Sequence, residues 1–325
     1  MARRITLALL LIWTCFHAGG ALAWNDTGHM TVALIAYRRL TDDQRQKIAA
    51  ILKGHPHYQS FLLDGKPAEV DEGQWAFLKA ATWPDWVRPS RPGAPAKPDT
   101  VTKYHHGPWH YIDRPWILPR DKAQFDAAAL KPDPSNILTE LPECVAKFGR
   151  SDTSAEDKAV YLCWIEHLVG DLHQPLHCIG VYSEHFPKSD QGGTQLAVRA
   201  GDMPLNFHGY WDDLLGTSTA YTAIDFLETT ITAAPAHDPE KMRELKDHPA
   251  LASWVDESYE DAKAIAYLNG QLKSASWRAW ENRQIQKEDV PELPIGYAAN
   301  ARELACRRVA LAGYRLAKIL DQSMR

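Results

Sequence analysis

His167-Leu-Val-Gly-Asp171-Leu-His173-Gln-Pro-Leu-His177 is the stretch on which the reading turns. It closes a run, Ala155 to Leu172, in which Val160, Trp164, Leu168 and Leu172 recur at the i, i+4 spacing of a helix. Side chains four apart on a helix lie on one face, so His167 and Asp171 can share a metal ion. Pro175 ends the helix and leaves His177 in the turn beyond it. His173 follows Asp171 by two residues, falls on roughly the opposite face and is not counted as a ligand.

The same periodicity extends outward. Thr31 to Leu52 carries Val32, Ile35, Ala36 and Leu40 on one stripe, and Arg302 to Ile319 carries Leu304, Val309, Ala312 and Leu316. Shorter helical patterns cover Gln74 to Ala81, Gln124 to Leu130, Ser135 to Phe148 and Leu251 to Leu268. Alternating patterns are scarce, with Gln195 to Ala200 the best strand candidate. Arg88 to Pro108 and Cys178 to Gly193 read as irregular. No repeat and no Pro/Gly/Ser spacer divides the chain, so the expectation is a mainly α-helical single domain with long functional loops.

The chain has 325 residues, 45% of them hydrophobic and 24% charged, an ordinary globular composition. Its 36 Lys+Arg against 41 Asp+Glu give a formal charge of -5, the wrong sign for gripping a polyanion through a basic surface. Arg3 and Arg4, an apolar run from Ile5 to Phe16 and the exit Ala21-Leu22-Ala23 have the form of a secretory signal peptide, residues 1–23. The apolar core is too short for a retained membrane anchor. Cleavage before Trp24 predicts an exported, periplasmic or secreted chain, residues 24–325. It retains Cys144, Cys163, Cys178 and Cys306, which suggests two disulfides in an oxidising compartment. Cys163 and Cys178 would lie on the order of 15–20 Å apart at helical rise, too far to bridge. Cys144–Cys163 with Cys178–Cys306, Cys144–Cys178 with Cys163–Cys306, and incomplete pairing all stay open.

Further ligand types recur beside tryptophans. His208-Gly-Tyr-Trp-Asp212 repeats the His-x3-Asp spacing; Trp83-Pro-Asp85-Trp86-Val-Arg88 and Trp109-His110-Tyr111-Ile112-Asp113 add an aspartate and a histidine. Singly, each has an ordinary structural explanation, and His55, His57, His105, His106, His185, His237 and His248 are assigned surface or loop roles. Together, imidazole and carboxylate donors without thiolates suit zinc in catalytic sites, with several metals rather than one. Trp83, Trp86, Trp109 and Trp211 read mainly as an apolar shell that fixes ligand geometry. Removal of residues 1–23 would free the α-amine of Trp24, five residues before His29, and an amine with its own carbonyl oxygen can chelate a metal.

These motifs, in this order from Trp24 to the terminal Ala312-Gly-Tyr-Arg-Leu-Ala317, resemble the zinc-dependent, single-strand-specific nuclease family of the S-one/P-one type. The resemblance implies a fold related to the zinc phospholipases C and three Zn²⁺. Asp85, His110, His167 and Asp171 would hold one. Trp24, His29 and the bridging Asp171 would hold a second, and His177, His208 and Asp212 a third. It further implies hydrolysis of single-stranded DNA and RNA to 5′-phosphates, with 3′-nucleotidase activity, by a water shared between the close metal pair. Arg88 would contact phosphate and act in catalysis with Asp171, while Tyr111 and Asp113 would bind the base. Thr194 stands where the family has an asparagine after Gly192-Gly193, and Pro115 replaces an acidic residue of fungal members. A zinc phospholipase C and a non-enzymatic zinc-binding protein are the alternatives. No motif points to an obligate protein partner.

Overall fold

Asn25 starts the first helix by accepting a hydrogen bond from the Gly28 amide, which satisfies one of the donors a helix N-terminus leaves open. The computed structural model describes residues 24–89 and 98–324. The expected signal segment and part of the Pro-rich stretch lie outside them. In chain order the helices are α1 (Asp26–Tyr37), α2 (Asp42–Leu52), α3 (Glu72–Ala80), α4 (Trp83–Trp86), α5 (Pro98–Tyr104), α6 (Ile137–Gly149) and α7 (Ala155–Leu172). They continue with α8 (Phe207–Asp212), α9 (Tyr221–Ala233), α10 (Arg243–Asp247), α11 (Leu251–Asp261), α12 (Trp277–Glu281) and α13 (Tyr297–Ser323). Short strands β1 (Pro115–Ile117) and β2 (Gly180–Tyr182) pair in parallel, with Trp116 opposite Val181. β3 (Leu196–Arg199) lies between β4 (Pro204–Asn206) and β5 (Ala275–Ser276), antiparallel to both. The expected mainly helical fold is what forms.

The sequence pattern fails where local hydrogen bonds compete with it. Thr31 to Leu52 is two helices, because Thr41 and Gln44 form a reciprocal capping box that opens α2. Gln124 to Leu130 is not helical: the Asp126 side chain accepts the Ala128 amide, closing a turn instead. Leu251 to Leu268 stays helical only to Asp261, passes into a wider π turn over Ala262–Ala266 and ends there. Part of the stretch read as irregular before His110 is α5, and α9, with Ile224, Leu227 and Ile231 at helical spacing, is a helix that the sequence reading does not include.

The main core gathers α1, α3, α6, α7, α9 and α13 around residues such as Leu34, Ile35, Phe77, Ile165 and Leu316, all essentially without solvent contact. Each such side chain contributes about 1.5–3 kcal/mol by leaving water. A second cluster, with Leu176, Val198, Phe207, Trp211 and Tyr297, sits under the small sheets. No helix among the described residues is long and apolar enough to cross a membrane. The expected disulfides do not form: Cys144, Cys163, Cys178 and Cys306 are free thiols, three of them packed into the apolar interior. The Cys178 thiol is directed at the Leu172 carbonyl oxygen, 3.5 Å away, rather than at another sulfur.

α13 is fastened to α11 by a buried ion network. Glu257 accepts from Arg308 Nη1 at 2.7 Å and from Arg315 Nη1 and Nη2 at 2.8 and 2.7 Å. Burial opposes ionisation of Glu257, but the bonds from Arg315 and the charge of Arg308 outweigh it and hold the carboxyl below its usual range. A depressed folded-state value means that this stabilisation is complete above the unfolded carboxyl value and is lost as pH falls through the folded one. Glu257→Gln is expected to cost about 3–5 kcal/mol at neutral pH by stranding two buried guanidinium groups. The cost should stay constant in mildly acidic buffer and shrink only once the pH falls below the unfolded carboxyl value, measured by urea melts at neutral and at strongly acidic pH.

Candidate metal centre

α7 brings His167 and Asp171 to one buried face, as their spacing predicts, and the other candidates converge on them. His167 Nδ1 lies 2.8 Å from the Ala81 carbonyl oxygen, His177 Nδ1 2.6 Å from that of His110, and His208 Nδ1 2.7 Å from that of Gly192. A carbonyl oxygen can only accept, so each Nδ1 carries a proton, and in the neutral ring each Nε2 presents a lone pair. The two lone pairs of His177 and His208 nevertheless face each other at 3.1 Å, with Asp212 Oδ2 3.6 Å from His208 Nε2. Three electron-rich atoms held this close repel one another unless a cation lies among them. The arrangement fits a metal ion.

A second group forms around Asp171. Its Oδ2 is 3.0 Å from His110 Nδ1 and 3.2 Å from His167 Nε2, which are themselves 2.9 Å apart. Asp85 Oδ1 lies 3.9 and 3.8 Å from the same two nitrogens. Tetrahedral donors on zinc are about 3.3 Å from one another, and these separations bracket that value. The other oxygen of Asp171, Oδ1, lies 3.2 Å from His29 Nε2. Asp171 therefore faces two ligand groups, one through each oxygen. The side chains make three potential metal-binding groups: His29, His167 and Asp171; Asp85, His110 and His167; and His177, His208 and Asp212. Both nitrogens of His29, Nε2 of His110 and Oδ2 of Asp212 are buried without a hydrogen bond.

Local structure explains the convergence. The His29 ring stacks on that of His167 with centroids 4.0 Å apart. It can do so because residue 170 is glycine: a Cβ there would lie 2.7 Å from His29 Nδ1. Gly192 has φ +61, and a Cβ on it would strike the Leu176 carbonyl oxygen at 2.3 Å, so only glycine can deliver the carbonyl that orients His208. Asn25 ties the start of α1 to the end of α8, donating to Asp213 Oδ1 and the Gly216 carbonyl at 2.7 Å each. Trp24 is fully buried beside that tie.

Electrostatics follow the burial. Burial and the neighbouring His167 lower His29, and burial takes His110 down to about 4, favouring the neutral rings that bind metals. Burial alone would raise Asp171, but His167, His110 and His29 overcome it and keep the carboxylate ionised. Asp212 is raised by burial, partly offset by a hydrogen bond from Gln174.

Arg88 donates to Asp85 Oδ1 at 3.0 Å, and Tyr111 is half-buried within electrostatic reach of both Arg88 and Asp113. Burial and the charge of Asp190 push Asp113 up to about 7. His173 is structural, as expected: its Nδ1 bonds the Val169 carbonyl and its Nε2 meets Arg315 Nη1 at 2.8 Å. His55 and His237, assigned to the surface or loops, sit in turns but are buried. His55 lies edge-on to Trp83, and His237 Nδ1 bonds the Ile231 carbonyl. Trp83 and Trp211 are fully buried in the expected shell, whereas Trp86 and Trp109 keep partial exposure.

Sequence reasoning passed over two contributors. Trp164 lies edge-on to His110 and His167, yet in the sequence it reads only as a stripe residue. Gln174 Nε2 donates to Asp212 Oδ1 at 2.7 Å while its Oε1 accepts the Leu176 amide at 2.6 Å, so it links the His177 turn to Asp212. Its place between two histidines was the available signal.

Comparison with known proteins agrees with this geometry. The chain is 22% identical to Endonuclease 2 of Arabidopsis thaliana, over 98% of this chain and 96% of that protein. It is 23% identical to Endonuclease 3 of the same plant, over 95% and 84%. Its similarity to the plant's Endonuclease 4, at 26% identity, covers 62% of this chain and 58% of that one. Residues 24–325 match the family described as S1/P1 Nuclease, a zinc-dependent family with a helical fold like that of zinc phospholipase C. With a match of that extent and three buried His/Asp groups behind it, the chain belongs to the S1/P1 nuclease family and is a hydrolytic nuclease.

Proposed function

We propose that this nuclease is an exported endonuclease that cuts single-stranded DNA and RNA to 5′-phosphorylated products, acts on 3′-nucleotides, and holds three Zn²⁺. The observation that carries the reading is the convergence of imidazole lone pairs and carboxylates, with Asp171 facing two groups at once. Asp85, His110, His167 and Asp171 would hold one ion; Trp24, through its freed amine and carbonyl, with His29 and Asp171 a second; His177, His208 and Asp212 a third. When bound, such ions polarise phosphate oxygens and make a water molecule acidic enough to ionise near neutral pH.

The protein's own groups bind and orient the substrate. Arg88 uses part of its fork on Asp85 and keeps further N–H donors for phosphate oxygens. Tyr111 offers a ring for an unpaired base, which a duplex would keep stacked inside. Asp113, raised to about 7, can carry a proton near neutrality and so both donate to and accept from a base edge. Bound divalent cations also explain how a chain of charge -5 can hold a polyanion. The family and the endonuclease relatives favour this reading over a phospholipase or a non-enzymatic zinc binder.

Incubation of the processed, zinc-loaded protein with single-stranded DNA, duplex DNA, RNA, a 3′-nucleotide and phosphatidylcholine tests it. Cleavage of the single strands and the nucleotide, abolished by chelator and restored by zinc, is expected. Hydrolysis confined to the lipid, or none at all, would overturn it. Retaining one extra residue before Trp24 should remove zinc from the His29 group and most activity, read by metal analysis. Full occupancy in that variant would exclude a role for the Trp24 amine. Gln174→Ala should weaken zinc binding about 10–100-fold through the loss of its hold on Asp212, measured by chelator competition with the circular dichroism spectrum unchanged.

A further inference from the structure

A cavity of about 720 Å³ adjoins the loop that runs from His177 to Gly192, and none of the roles above uses it. One wall is the loop that follows His177, and the facing wall runs from Tyr267 to Ser276. A buried tie joins the two: Tyr267 OH donates to Asp190 Oδ2 at 2.6 Å, while Asp190 Oδ1 accepts the Val181 amide at 2.9 Å.

Both walls contain backbone that ordinary loops avoid. Ser189 and Gln191 on one side have φ of 77° and 54°; Leu268 and Asn269 on the other have φ of 50° and 55°. A left-handed non-glycine residue persists only where its surroundings enforce it, and such residues gather at ligand sites. Leucine has no side-chain hydrogen bond to ease that conformation, which makes Leu268 the most telling of the four. The walls are held to a shape.

Charge indicates what the shape receives. Arg120, His185 and Lys273 line the cavity. Neither His185 nor Lys273 has an ion-pair or hydrogen-bond partner among the described residues, and Arg120 meets only Asp121, at 3.7 Å. Asp190 is the one acid in the lining, and its carboxylate is occupied by Tyr267 and Val181. In an acidic protein this is a cationic rim over an interior that includes Leu118, Phe186 and Leu272. A phosphate joined to a flat base matches both parts.

Position relates the cavity to the reaction. Its wall loop begins at His177 and ends at Gly192, whose carbonyl orients His208. Its floor strand β2 pairs with β1, which begins two residues after Asp113. We propose that the cavity is a subsite for a nucleotide flanking the scissile phosphate, with Arg120 and Lys273 holding a neighbouring phosphate and Phe186 supporting its base. This rests on the nuclease reading and extends it from one nucleotide to a strand.

The test compares the wild type with Arg120→Ala/Lys273→Ala and with Phe186→Ala, on an oligothymidylate strand and on thymidine 3′-monophosphate. The ratio of kcat/KM for strand over mononucleotide should fall about tenfold in the double variant, and Lys273→Arg in an otherwise native protein should keep the ratio near that of the wild type. Strand binding in the presence of chelator, followed by fluorescence anisotropy, should lose about 0.7 from its log–log salt slope for each cation removed. An unchanged ratio and slope would overturn the subsite, and so would an equal loss on both substrates, which would signal damage to the metal centre. If the wild type cleaves neither substrate, the nuclease reading itself fails. The salt slope still reports on the cavity in that case, because it needs no catalysis.

Discussion

Imidazoles pinned through Nδ1 to main-chain carbonyls are the constraint on which the rest of this structure depends. His167, His177 and His208 each spend their one proton on a backbone oxygen, so their remaining nitrogens must face inward as lone pairs. Burial then removes the water that could have separated them. Without a cation the centre is a knot of mutual repulsion; with one it becomes a set of preoriented ligands. The fold accordingly needs glycine at two positions here, residue 170 and the left-handed residue 192.

The three carbonyls come from far-apart parts of the chain: Ala81 just before α4, His110 before β1, and Gly192 after β2. Each also adjoins a proposed ligand or substrate contact. Ala81 precedes Asp85 and Arg88, His110 precedes Tyr111 and Asp113, and Gly192 closes the loop that begins at His177. Packing that orients the candidate metal ligands therefore also sets the walls of the proposed substrate cleft. A loop change large enough to alter specificity risks the metal centre, unless it is confined to the stretch between His177 and Gly192, where the cavity lies.

The acidic surface and the nuclease chemistry are reconciled in the same place. Few free cations are needed if divalent ions meet the reacting phosphate and a small number of unpaired side chains, such as Lys273, meet its neighbours. The ion network of Glu257, Arg308 and Arg315 serves a different end, fixing α13 against α11 and, through His173, the last turn of α7.

Much of this was legible in the residues. The i, i+4 pairs His167/Asp171 and His208/Asp212 survive as helical pairs, since helix geometry is local and spacing alone determines which side chains share a face. Periodicity gave α7 to the residue and most of α13, because those stripes meet one continuous core. It failed at Thr41, where a capping box broke a longer stripe, and at Asp126, where a side chain closed a turn. Pairing of the cysteines was not legible, because sulfur partners depend on where separate helices dock. What only the tertiary structure decided was the contact geometry: which oxygen of Asp171, the bridging residue that the resemblance implies, faces His29 and which faces His110, that Gln174 holds Asp212, and that Tyr267 closes a cavity against Asp190. Those contacts join residues 38 to 142 positions apart in cases such as Gln174–Asp212 and His173–Arg315, and no spacing rule reaches across such separations. They exist because burial of the apolar stripes brings distant segments together, and the polar groups carried with them must then find partners or a metal.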